Sequence, residues 1–84
     1  MAPKSAEILA LEALGWLAGE EDGMGRFLAA SGVDPADLRQ AAGSRELGVA
    51  ILDFMLAHED LLLRFCENSS IAPGVVQTAR YRLD

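Results

Sequence analysis

The chain has 84 residues, 51% of them hydrophobic, with 13 acidic and 7 basic side chains and a formal net charge of −6. That length excludes two full-sized domains, and a mean hydropathy of +0.20 excludes a disordered chain. The acidic balance argues against a protein held to nucleic acid by overall charge; one cysteine, Cys66, and one histidine, His58, supply neither an intrachain disulfide nor a Cys/His zinc site.

The first predicted helix runs from about Ser5 to Ala18, with Gly19 as its stop. Its run Ile8–Ala18, with Lys4 ahead, has the hydropathy of an export signal, but Glu12 interrupts it and Glu7 stands just before it. No stretch reaches the ~18–20 apolar residues of a membrane span. A soluble protein of a reducing compartment, the cytoplasm, is expected, without membrane contact. Apolar side chains cover almost the whole circumference of this helix, which predicts a central or interfacial position. The second predicted helix spans Glu21–Ser31, with Glu21 and Asp22 in its first turn, where negative charge offsets the helix dipole. Met24, Phe27 and Leu28 share one of its faces, and Gly32 ends it. The third begins at Pro35 with Asp34 as its cap. The fourth starts from Ser44, an N-cap after Gly43, and reaches about Ala57; the fifth covers Glu59–Ser69, with Leu62, Phe65 and Cys66 on one face. The sixth begins at Pro73 without a capping side chain, since Ala72 precedes it. No segment alternates as a half-buried strand does. The expected fold is all-α, a compact bundle of about six short helices in a single domain over residues 1–84.

Sliding the chain by 38 positions lays Ile8–Ala42 over Glu46–Arg80 without a gap. Nine pairs are then identical: Leu9/Leu47, Leu14/Leu52, Glu21/Glu59, Asp22/Asp60, Arg26/Arg64, Phe27/Phe65, Ser31/Ser69, Pro35/Pro73 and Ala41/Ala79. Others keep their character, among them Trp16/Phe54, Leu28/Cys66 and Val33/Ile71. The chain therefore reads as two pseudo-symmetric three-helix repeats, about 5–43 and 44–84. Paired positions should share burial, with Leu14 matching Leu52, Trp16 matching Phe54, Phe27 matching Phe65 and Val33 matching Ile71.

The repeat gives most suggestive side chains a structural role. Cys66 stands where the first copy has Leu28, so it reads as a core residue and not a nucleophile. His58 lies eight residues away, more than two helical turns or about 12 Å along the axis, so the two are no catalytic pair. Glu20, Glu21, Asp22, His58, Glu59 and Asp60 could gather round a divalent cation only if the second and fifth helices began side by side. Acidic helix starts with Asp22–Arg26 and Asp60–Arg64 pairs at i, i+4 explain them better. Arg26 and Arg64 read as paired surface arginines, and Ser31 and Ser69 as turn or capping groups. The glycines Gly19, Gly23 and Gly25 follow a helix and make no phosphate loop. No enzyme, metal or cofactor is expected.

Two surfaces stand out. The fifth helix carries Leu61 and Leu63 where the second has Gly23 and Gly25, so it is apolar on more than one face. Leu61 and Leu63 are the expected interaction surface for a protein partner, including a second copy of the chain. The second and third helices, and again the fifth and sixth, have helix-turn-helix spacing, and the last helix, about 73–83, carries Gln77, Thr78, Arg80 and Arg82, residue types suited to bases and phosphates. Against DNA stand Asp34 and Asp37 in the first copy and the net charge. Exposure of Arg80 and Arg82 on one face with Lys4 or Arg64 would favour DNA; surrounding carboxylates would not.

The run from Leu11 to Arg26 with Phe27–Pro35, then Leu52–Cys66, resembles a family of short bacterial proteins known only as a domain of unknown function. The resemblance covers about Ala6 to Leu83, most specifically the E-D-x-L-L-x-F segment at Glu59–Phe65 and the late Pro73. It implies a bacterial cytoplasmic origin and carries no activity, substrate or site to these residues. The leading functional expectation is a non-enzymatic helical protein-interaction module, self-associating in its simplest form. The alternative is a helix-turn-helix-like DNA-binding regulator.

Overall fold

A computed structural model describes residues 5–83. It contains six helices, α1 (Ala6–Gly19), α2 (Gly23–Ser31), α3 (Pro35–Ala41), α4 (Arg45–Ala57), α5 (Glu59–Ser69) and α6 (Pro73–Arg82), with no strand among the described residues. The caps follow the residue types. Ser5 Oγ accepts from the Ile8 amide at 3.1 Å, Ser44 Oγ from the Leu47 amide at 3.1 Å, and Asp34 Oδ1 from the Ala36 amide at 2.8 Å. Pro35 and Pro73 open their helices, and Ala72 leaves α6 without a side-chain cap. Gly32, at φ +75°, ends α2, its amide donating to the Leu28 carbonyl. Ser70, 38 residues later, takes the same left-handed turn at φ +57° after α5, and its amide donates to the Cys66 and Glu67 carbonyls.

α1 and α4 pack against each other at the centre. α2 leans on both, α6 packs on both, and α5 lies against α4. Leu17, Phe27, Ile51, Leu52, Met55, Leu61, Phe65 and Val76 are fully buried between them, each contributing about 1.5–3 kcal/mol by leaving water. α3 buries no residue.

Three expectations are corrected. α2 begins at Gly23, two residues late, because α1 runs on through Gly19 and the chain must turn within 20–22. A Cβ on residue 23 would stand 2.8 Å from the Leu17 carbonyl oxygen, so only glycine enters the helix there. Glu21 therefore precedes the helix, and Asp22 makes no capping hydrogen bond. α1 takes the central position expected of it and still keeps an outward side: Ala6, Leu9, Ala10, Ala13 and Leu17 are buried, and Ile8 and Leu11 stay 50% and 41% exposed. No neighbouring helix covers that outward side. Leu61 is a core residue, 2% exposed, because it stands one turn before the buried Phe65 on the inward face of α5. Finally, burial agrees at Phe27/Phe65 and Val33/Ile71, but Leu14 and Trp16 are half-buried where Leu52 and Phe54 are buried.

Candidate interaction surface

The surface is assembled on α1 and α6. α6 turns Val76 and Ala79 into the core at i, i+3 and leaves Val75, Thr78 and Arg82 on another stripe. That stripe forms one wall of an open apolar groove of about 710 Å³, and Ala6 and Leu9 of α1 form the other, with Ile71 at the turn into α6. Val75 is 46% exposed, and Ile8, beside Leu9, is 50% exposed. In the 38-residue sequence alignment Val75 falls opposite Asp37 and Ile8 opposite Glu46, both exposed carboxylates.

The expected site residues fall differently. Leu63 is 47% exposed and edges a separate shallow hollow with Leu56, Leu62, Pro73 and Gln77. Of the α6 residues, Gln77, Thr78 and Arg82 are exposed, whereas Arg80 Nε donates to Asp53 Oδ1 at 2.5 Å. Thr78 and Arg82 belong to the apolar groove. Lys4, the other cation weighed with them, lies outside the described residues. Arg64 is held by Glu20 and Asp60, both at 3.5 Å. No carboxylate among the described residues pairs with Arg82.

The carboxylates around α2 and α5 do come together, but round arginines. Arg26 spans from α2 to Asp60 at 3.0 Å instead of pairing with Asp22 on its own helix. This bond, opposed by partial desolvation and helped by the charge of the same guanidinium, holds the Asp60 carboxyl down at about 2, and it raises the pKa of Arg26. Among the described residues no group of three or more His, Cys, Asp or Glu side chains could hold a metal ion. His58 lies between α4 and α5 rather than within a helix. Its Nδ1–H donates to the Phe54 carbonyl at 2.8 Å, with the ring 4.2 Å from that of Phe54. Because a carbonyl only accepts, the Nδ1 proton is fixed by this contact. Cys66 is a buried free thiol whose pKa burial pushes up. Ser31 Oγ accepts from the Val33 amide at 3.2 Å, a turn contact.

A family model described as "Protein of unknown function (DUF3572)" matches residues 3–84. The chain belongs to this family. No curated protein and no solved structure matches the DUF3572 chain. Among the described residues, no helix is long and apolar enough to cross a membrane.

Proposed function

We propose that this DUF3572 chain is a non-enzymatic helical protein-interaction module of the bacterial cytoplasm, and that its contact surface is the α1/α6 groove. The observation that carries the reading is the groove itself: apolar walls, with Val75 exposed on one of them where the aligned position carries Asp37. A contiguous apolar surface of this kind is the usual mark of a contact site. The two best candidates for a nucleophile and a base support a non-enzymatic role, since Cys66 is enclosed in the core and His58 is committed to a backbone carbonyl. An unpaired thiol also suits a reducing compartment.

The module reads as two pseudo-symmetric repeats, 5–43 and 44–84, and reciprocal contacts support this. Phe27 of α2 meets Phe54 of α4 at 5.4 Å between ring centres, and the equivalent pair, Phe65 of α5 and Trp16 of α1, meets at 5.7 Å. The left-handed turns at Gly32 and Ser70 match as well. The halves differ at their last helices, since α6 packs into the core and α3 does not. The helix-turn-helix alternative on 73–83 keeps Gln77, Thr78 and Arg82 exposed, but Arg80 is engaged by Asp53, and Thr78 and Arg82 edge the apolar groove.

A photo-crosslinking residue placed at Val75 in the native cell tests the reading, with Arg39 as an exposed reference and Leu63 as the competing surface. A discrete protein adduct from position 75 and none from position 39 is expected. No adduct from position 75, or an adduct from position 63 alone, would remove the groove as the contact surface.

A further inference from the structure

We infer that the occupant of the α1/α6 groove is a second copy of this chain, each copy laying the outward ridge of its α1 into the groove of the other. The inference rests on the reading of the groove as a contact surface and names the partner. On α1, Ile8, Leu11, Gly15 and Ala18 recur at the three-four-three spacing of a helix–helix seam, and all four are exposed. A Cβ on Gly15 would meet nothing within 4 Å, so the ridge is open to an approaching side chain at that point. Ridge and groove are both apolar, and their charges are opposite. Exposed Glu7 lies in the first turn of α1, next to Ile8, whereas Arg82 lines the groove without a carboxylate among the described residues.

Both halves of this match stand on every molecule. We take the pairing as twofold: two copies then satisfy each other's ridge and groove and close, whereas a head-to-tail pairing of the same patches would propagate a filament. The α1 helix explains itself in the same way: a helix apolar round its whole circumference belongs at an interface when the monomer covers only one side of it.

Sedimentation equilibrium across the micromolar range tests this, with circular dichroism confirming that each variant is folded. The wild-type mass should rise from 9.0 kDa towards twice that value with concentration. Arg82→Glu and Glu7→Lys should each weaken dimerisation by about tenfold, the scale of a close interfacial charge pair, and the double variant should recover most of the loss. A chain that stays monomeric, or a double variant no tighter than either single one, overturns the inference. A monomeric chain that still gives an adduct from Val75 to a different protein removes the second copy and leaves the contact surface standing. A monomer with no adduct removes both.

Discussion

Arg26 joins the two halves of the chain on the surface, from α2 to Asp60 of α5, while Arg64 reaches back to Glu20. The Asp60 carboxyl is held at about 2 instead of its ordinary 3.8 chiefly by the Arg26 hydrogen bond. Because the folded value is the depressed one, this contact contributes in full above the ordinary carboxylate range and is lost as pH falls from about 4 towards 2. Carboxyl carbon shifts followed by NMR should show Asp60 titrating near 2, and Arg26→Ala should return its midpoint towards 3.8. An Asp60 midpoint unmoved by the substitution would mean that the pair does not persist in solution. The Asp60–Arg64 contact was legible in the sequence, because i, i+4 neighbours on one helix must meet. The Arg26–Asp60 contact was not, because it depends on how α2 and α5 lie against each other.

At the scale of the helices, the sequence is most explicit where a side chain acts on its own backbone. Ser5, Ser44, Asp34, Pro35 and Pro73 mark the helix starts correctly because capping is a local interaction. The start of α2 was hidden, because the demand at Gly23 comes from the Leu17 carbonyl of the preceding helix. Two glycines of the same short helix therefore make opposite predictions. Gly25→Ala meets open space and should stabilise the fold by about 0.5–1 kcal/mol through helix propensity. Gly23→Ala must displace backbone and should cost about 1–3 kcal/mol. Urea denaturation of the two variants separates them by sign; equal and small effects would show that the α1–α2 turn is looser than described.

For the whole molecule, the apolar spacing specified six helices and most of the core, since burial of Phe27, Phe65 and Leu52 follows from periodicity alone. It did not specify the groove, whose walls come from opposite ends of the chain, at 6–9 and 71–82. Leu61 was misplaced for a related reason: the helix was placed correctly, but whether the side next to Phe65 is covered depends on how α5 packs, and Leu61, four residues before the buried Phe65, lies on that covered side. The groove, the ridge on α1 and the exposed Val75 all depend on the two halves interlocking through α1 and α4, so that each half's aromatic ring packs on the other half's central helix. Side-chain NOE spectroscopy on the folded chain tests this most directly. The account predicts contacts between the Trp16 indole and the Phe65 ring, and between the Phe27 and Phe54 rings, at the separations of 5.7 and 5.4 Å between ring centres. Contacts that instead join Trp16 to Phe27 and Phe54 to Phe65, each ring staying within its own half, would contradict it.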